Sequence, residues 1–321
     1  MSAAANQTLR VAVVGVGHLG KHHARILAAM PGVTLVGVAD PNEPRAAEIA
    51  AAHGTQPFAA ASALPPVDAV VIAAPTELHA ELAGPFLSRG VSVLVEKPVT
   101  RTLEEADGLI ALAARHGAVL AVGHSERFNP AVAAALPHVK APGFVEVHRL
   151  SGFSERSLDI DVVFDLMIHD LDVLLAAIGT EIAAIEAVGV PVLSPRIDIA
   201  NVRLTFASGC IANLTASRIS FDTIRKMRFF QPRAYIGIDF AKKEAEVYQV
   251  VLGAAGAAID GGKLDVEQAE PLRLELEDFV DAVRTRRPPR VSGADGRRAL
   301  ELAHRITSLM AGGIFTGGPS K

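Results

Sequence analysis

The stretch Val11-Ala12-Val13-Val14-Gly15-Val16-Gly17-His18-Leu19-Gly20 constrains the fold most, because an apolar strand runs straight into glycines spaced G-x-G-x-x-G. The first glycine permits a tight turn, the second lets backbone approach a pyrophosphate, and the third lets the following helix pack closely on its strand. A helical segment from His18 to about Met30 follows, and its N-terminus supplies donors and positive potential. A second apolar run, Val33 to Ala39, ends in Asp40, 20 residues after Gly20. There a carboxylate can accept both ribose hydroxyls of adenosine. The pattern predicts a dinucleotide cradle built by Gly15, Gly17, His18, Leu19 and Gly20, with Asp40 at the ribose. The competing reading is an ordinary strand-to-helix turn in a cofactor-free doubly wound domain. Asp40 would repel a 2′-phosphate, which favours NAD over NADP, while Arg45 weakens that preference.

At 321 residues, half of them apolar, the chain fits two domains with a packed core each. A balance of 31 basic against 35 acidic residues gives a formal charge of −4, so bulk electrostatics point to neither nucleic acid nor an anionic membrane. The single cysteine, Cys210, excludes an intrachain disulfide, leaves no thiol cluster for a metal, and suits a reducing compartment. Its strand-like surroundings predict buried filler. Met1 to Gln7 lacks a basic region followed by an apolar core and is expected to be a short disordered tail rather than a signal peptide. No apolar run approaches the roughly 20 residues that span a bilayer. The expected location is the cytoplasm.

From Leu9 to about Gly123 apolar strands alternate with helical segments: Leu9–Val14, Val33–Ala39, Ala69–Ala73, Val91–Val95 and Val119–Val122. Such alternation predicts a parallel sheet covered by helices on both faces. Thr102 is the expected cap of a helix over Leu103–Arg115, with Glu104 and Glu105 favouring its positive end. After Gly123 the rhythm changes to longer strands, among them Phe144–Leu150, Ile182–Val190, Ile197–Phe206, Cys210–Ser217, Lys226–Phe230, Ala234–Asp239 and Glu244–Val251. Short turns such as Ala207-Ser208-Gly209 favour antiparallel pairing. One amphipathic helix, about Asp161–Ile178, interrupts the strands, and two more, about Leu272–Thr285 and Ala294–Met310, close the chain. The glycine- and alanine-rich Gly253–Gly262 segment is expected to be a flexible loop. The predicted fold is therefore an α/β N-terminal domain over residues 1–123 followed by an α+β domain over 124–321, whose last helix, about 294–310, is a candidate to pack back on the first domain.

Glu96-Lys97-Pro98 follows the fifth strand, at the carboxyl edge where open α/β sheets bind ligands. A lysine beside a bound nicotinamide can exchange a proton with a sugar hydroxyl when burial and nearby positive charge depress its pKa. A surface lysine in a strand-end loop is the equal alternative. In Asp165-Leu166-Met167-Ile168-His169-Asp170, Asp165 and His169 lie four apart on a predicted helix and share one face. The carboxylate can orient the ring or bind a substrate hydroxyl while the imidazole handles the reacting one. A satisfied core histidine is the bland alternative. Asp170 points about 100° away from His169 on an ideal helix and is the weaker partner.

Taken together these pieces resemble the glucose-fructose oxidoreductase, inositol dehydrogenase and MocA (Gfo/Idh/MocA) family of NAD(P)-dependent dehydrogenases. The marks are Gly15-x-Gly17-x-x-Gly20, Ala74-Pro75-Thr76-Glu77-Leu78-His79, Glu96-Lys97-Pro98, Asp165-x-x-x-His169 and Val291-Ser292-Gly293-Ala294-Asp295-Gly296. The resemblance implies a Rossmann domain, then a domain on a large, mostly antiparallel sheet, with substrate and nicotinamide meeting between them. It implies that Lys97 and His169 serve proton transfer, that Asp165 positions substrate or His169, and that the Lys97-Pro98 segment carries a strained or cis linkage. Pro75, Thr76 and His79 would line the nicotinamide end, with Glu96 and Lys97 also bordering the cofactor. It further implies a homodimer or homotetramer through the sheet of the second domain.

Val122-Gly123-His124-Ser125-Glu126-Arg127-Phe128-Asn129-Pro130, with the Asp165 to Asp170 stretch, resembles the branch that oxidises nucleotide-activated amino sugars. That implies UDP-N-acetylglucosamine as substrate, oxidised at its 3-hydroxyl before transamination for lipid A-type sugars. Arg127 can pair with a diphosphate and Asn129 with a hydroxyl or acetamido group; equally, Asn129 can cap a helix that Pro130 begins. The substrate set would comprise Lys97, Arg127, Asn129, Asp165 and His169. Two other functions compete: a dehydrogenase of free sugars, inositols or sugar acids, and a noncatalytic dinucleotide sensor, against which Lys97 and the Asp165/His169 pair argue.

Overall fold

The computed structural model describes residues 8–153, 160–253 and 256–312, so the tail expected over Met1 to Gln7 lies outside the described residues. Contacts divide the chain into two units, one formed by residues 1–125 and 270–297, the other by 126–269 and 298–321.

In the first unit β1 (Leu9–Val14), α1 (Gly20–Ala28), β2 (Val33–Ala39), α2 (Glu43–His53), β3 (Pro57–Phe58), β4 (Ala69–Ile72), α3 (His79–Leu87), β5 (Ser92–Glu96), α4 (Leu103–His116) and β6 (Leu120–Gly123) succeed one another. The strands pair in the order β3-β2-β1-β4-β5-β6, every pair parallel. That order belongs to dinucleotide-binding sheets. β4, β5 and β6 are buried throughout, as strands covered on both faces must be, which explains their unbroken apolar runs. Thr102 caps α4 as expected: its hydroxyl accepts from the Glu105 N–H at 3.2 Å, and the Glu105 carboxylate accepts from the Thr102 N–H at 3.2 Å.

The second unit contains α5 (Pro130–Ala135), β7 (Phe144–Leu150), α6 (Ile168–Ile178), β8 (Ile182–Val190), β9 (Ile199–Phe206), β10 (Ile211–Ser217), β11 (Ile224–Gln231), β12 (Ala234–Asp239), β13 (Glu244–Gly253) and β14 (Gly256–Lys263). Its sheet runs β14-β13-β12-β11-β7-β10-β9-β8 and is antiparallel except for the β7/β10 pair. Burial alternates residue by residue along β7, the signature of a sheet with one covered face. Cys210 is buried there, and burial pushes its thiol up to about 11.

Three expectations need correction. The Gly253–Gly262 segment is no flexible loop in its described part: β14 pairs with β13 from Glu246↔Lys263 to Gly253↔Gly256, because ladder hydrogen bonds depend on backbone and not on side-chain bulk. The helix expected from Asp161 begins as a π-helical turn, Val163–Met167, and becomes α-helical only at Ile168. Residues 270–297 return to the first unit instead of staying in the second. There α7 (Pro271–Thr285) buries Leu276, Phe279 and Val280 with Val11, Val13 and Leu27. Conversely α8 (Gly293–Gly312) leaves only its first turn in the first unit; from Arg298 onward it packs Leu302, Ala303, Ile306 and Met310 into the core of the second. Among the described residues no helix is long and apolar enough to cross a membrane.

Phe279 is 1% exposed, so Phe279→Ala should destabilise the first unit by about 3–5 kcal/mol. Urea unfolding followed by circular dichroism measures this; a loss within about 0.5 kcal/mol, as at a surface position, would remove α7 from that core.

Candidate active site

The carboxyl edge of the first sheet starts at the glycine turn. Gly15 has φ +81°, and its N–H donates to the Ala39 carbonyl at 2.7 Å. A Cβ on Gly20 would lie 1.8 Å from the Gly15 carbonyl oxygen, whereas one on Gly17 would meet nothing within 4 Å. The third glycine is thus required by helix-on-turn packing, and the second faces open space where a diphosphate can approach backbone. His18 and Leu19 sit exposed on the turn between them.

Asp40 joins this turn to the end of β2. One carboxylate oxygen accepts from the Val16 N–H at 2.9 Å; the other accepts from Asn42 N–H at 2.9 Å and from Arg45 at 2.7 Å. Burial alone would push this carboxyl up, but the Arg45 hydrogen bond and the Val16 and Asn42 N–H groups outweigh it and hold it below the ordinary range. Its anionic form can accept ribose hydroxyls. Arg45, the residue that weakened the preference for NAD, is bound to Asp40 itself.

Across the sheet the loops after β4 and β5 carry the remaining candidates. Pro75 is exposed and Thr76 half-buried, opening a short 3-10 turn over Thr76–Leu78. Lys97 is half-buried, and the Lys97–Pro98 peptide is cis. Glu96 is buried: one oxygen lies 2.7 Å from His23 Nε2, and the other accepts from the Lys97 N–H at 3.2 Å. Burial is the largest single influence and would raise the Glu96 carboxyl, but the His23 hydrogen bond and charge, with the Lys97 charge and N–H, together outweigh it and lower it. His23, Glu96 and Glu275 place ligand-type atoms within 4.8 Å of one another, all buried. Glu96 therefore holds the backbone of Lys97, and it is 7% exposed. His79 is 1% exposed, with Nδ1 2.9 Å from the Pro98 carbonyl and Nε2 2.9 Å from the Ala74 carbonyl. Neither ring nitrogen is left for a nicotinamide.

In the second unit Asp165 lies in the π-helical turn and His169 in the first turn of α6, both half-buried. Asp170 turns inward, where Arg149 grips it through two hydrogen bonds of 2.7 and 2.8 Å and also reaches Glu126 at 3.1 Å. Asp170 and Glu126 more than offset the burial penalty on the Arg149 cation. Arg127 pairs with buried Asp172 at 3.3 Å and its side chain is 13% exposed, which leaves little of it for a diphosphate. Asn129 is corrected outright: its oxygen accepts from the Ala131 N–H at 3.1 Å, and its amide donates at 3.1 Å to both Glu126 and the Phe240 carbonyl. Capping α5 consumes the side chain.

Spacing did not reveal His23, Glu275 or Arg149. The available signal was a polar residue on an otherwise apolar face, as His23 is on α1 beside Ala24 and Leu27.

A sequence profile described as an oxidoreductase family with an NAD-binding Rossmann fold matches residues 9–124. UDP-N-acetylglucosamine 3-dehydrogenase of Acidithiobacillus ferrooxidans is 40% identical over 93% of this chain and 96% of its own. A solved structure of that enzyme superposes with a TM-score of 0.88, covering 95% of this chain and 98% of its own at 38% identity. The scyllo-inositol 2-dehydrogenase (NAD(+)) of Bacillus subtilis is 28% identical over 95% of both chains. The cofactor is NAD, and the glycine turn and Asp40 carboxylate fit it.

Gly20→Ala should weaken NAD binding by at least about tenfold, since the new methyl must push α1 off the turn that its N-terminus serves. Isothermal titration with NAD measures it; wild-type affinity would show that the turn does not carry the diphosphate.

Proposed function

The chain belongs to the Gfo/Idh/MocA oxidoreductase family, and on that premise we propose that it oxidises the 3-hydroxyl of UDP-N-acetylglucosamine to a ketone. The observation that carries this reading is 40% identity, over nearly the whole of both chains, to an enzyme of that name. Bound NAD⁺ supplies the hydride acceptor. The chain itself must then orient the sugar, exclude water and take the hydroxyl proton, so that CH–OH loses one hydride and one proton. Lys97 and His169 are the two groups we assign to that proton, and Asp165 orients His169 or a neighbouring hydroxyl. Support for Lys97 comes from its place at the carboxyl edge of a parallel sheet, its backbone N–H held by Glu96. Support for His169 comes from its half-buried place beside the anchored Asp170.

The 3-keto product would be a substrate for an aminotransferase, as in the synthesis of lipid A-type amino sugars. A cytoplasmic location follows from the same reading, and the lone buried Cys210 suits a reducing compartment. We also assign homo-oligomer formation to the second sheet, where Phe230, Tyr248, Val250, Leu252 and Ile259 are exposed apolar residues. A free inositol is the second reading, favoured by the 28% identity to scyllo-inositol 2-dehydrogenase.

Mixing protein and NAD⁺ with UDP-N-acetylglucosamine, N-acetylglucosamine or myo-inositol, each with an amine trap for the ketone, should raise nicotinamide absorbance with the UDP sugar alone. A rise only with the polyol would transfer the assignment to inositol. Lys97→Met should lower turnover by about 10²- to 10⁴-fold while NAD titrates as in wild type; unchanged turnover would take Lys97 out of the proton path.

A further inference from the structure

The arginines of the second unit divide by what they face. Arg127, Arg149 and Arg218 are spent on Asp172, Asp170 and Asp198. Arg225 is different. It stands directly opposite Arg149 across the β7/β11 pair, and the next pairs on the same side, Met227↔Val147 and Phe229↔Val145, are buried, so Arg225 belongs to the covered face of the sheet. Yet it is exposed, because the cover of that face ends here. Like charges directly opposite each other are destabilising. Asp170 and Glu126 neutralise Arg149, and among the described residues Arg225 enters no ion pair of its own. Burial raises the Asp170 carboxyl while the Arg149 and Arg225 cations pull against it, which puts Arg225 within electrostatic reach of the residue that follows His169.

The same end of the sheet carries two exposed aromatic side chains. β7 and β10 are parallel neighbours, and beyond their ends the backbone zips them together: the Ser151 N–H donates to the Ser217 carbonyl at 2.8 Å, and the Ser220 N–H donates to the Ser151 carbonyl at 3.0 Å. Just past these bonds, Phe153 is 48% exposed and Phe221 fully exposed. β11 then starts at Ile224, opposite Leu150, which sets Arg225 at this end as well. A single exposed apolar residue is ordinary. Aromatic rings at the same sheet end as a free guanidinium are what a nucleotide requires, a surface on which its base can stack and a fork that matches its phosphates.

We propose that this end of the second sheet binds the nucleoside diphosphate part of the substrate, with Arg225 holding the diphosphate and Phe221 stacking on the base. The inference rests on the proposed sugar-nucleotide substrate, and it supplies the diphosphate partner that Arg127, committed to Asp172, does not. It also accounts for an arginine opposite an arginine, since a bound diphosphate relieves the repulsion that the free protein retains. Arg149 ties this row of the sheet to Asp170 at the start of α6, so the nucleotide subsite and His169 are held by one framework.

The test titrates the full chain, saturated with NADH so that the cofactor site is filled, with UDP and with inorganic pyrophosphate. Arg225→Gln should weaken both by about 10- to 100-fold while unfolding in urea as wild type does, since a like-charge pair directly opposite does not stabilise a sheet. Arg225→Lys keeps the charge without the fork and should fall between the two. Phe221→Ala should weaken UDP by about 5- to 100-fold and leave pyrophosphate unaffected. In turnover with UDP-N-acetylglucosamine the loss in Arg225→Gln should fall on KM rather than kcat, as removal of uniform binding does. A variant that bound UDP as tightly as wild type would overturn the role given to its residue, and both doing so would overturn the subsite while leaving the sugar-nucleotide substrate standing. If instead the wild-type enzyme bound no UDP and oxidised only a free polyol, that substrate would fail and the subsite with it.

Discussion

The close approach of α1 to the turn beneath it governs the first unit. With only 1.8 Å between the Gly15 oxygen and the place a Cβ would occupy on Gly20, nothing larger than glycine allows the helix to begin there. Once it does, the Val16 N–H is directed at Asp40, and the ends of β1 and β2 are locked together. The same placement sets His23, one turn farther along α1, against Glu96 at the end of β5. A constraint that reads as a cofactor motif thus also reaches the end of β5, because His23 on α1 meets Glu96, the residue that precedes Lys97.

The part of this architecture legible in sequence was the part written as periodicity and turn chemistry. Apolar strands alternating with helical segments announced a parallel sheet covered on both faces, and short turns such as Ala207-Ser208-Gly209 announced antiparallel pairing in the second unit. Thr102 with Glu105, and Asn129 with Pro130, announced helix starts. Where the signal depended on partners far away in the chain, it failed. Gly253–Gly262 looks like a linker because its residues are small, but pairing along β13 is a property of backbone. The return of α7 to the first core was invisible for a similar reason: an amphipathic helix shows that it has an apolar face, not which core will receive it.

The candidate site divides along the same line. Residues that would touch ligand, such as Gly17, Asp40, Lys97 and His169, stood out as polar or glycine positions at the ends of regular elements. Those that hold them are buried and linked over long separations: Glu96 to His23 across 73 residues, Arg149 to Asp170 across 21, Arg218 to Asp198 across 20. Asn129 and His79 mark the boundary, since both look like ligand residues in sequence and both spend every side-chain polar atom inside the protein.

Such buried polar clusters are poor sources of net stability. Replacing a buried ion pair with well-packed apolar groups is often neutral or favourable, while removing one partner costs about 3–5 kcal/mol. Their value is directional. Asp198 accepts from the Val192, Leu193 and Ser194 N–H groups, the Ser194 hydroxyl and Arg218, and Arg218 in turn donates to the Ile160 carbonyl. Asp161 accepts from the Ile197 N–H. The loop between β8 and β9 is thereby fastened to the segment that opens the π-helical turn carrying Asp165. Arg149 fastens the next turn through Asp170, adjacent to His169. An apolar core can fill this volume, but its contacts tolerate sliding and rotation; forked charge-assisted bonds fix an angle. A displacement of 1 Å at a reacting group can cost about a hundredfold in rate, so angular precision near Asp165 and His169 is worth the desolvation it requires.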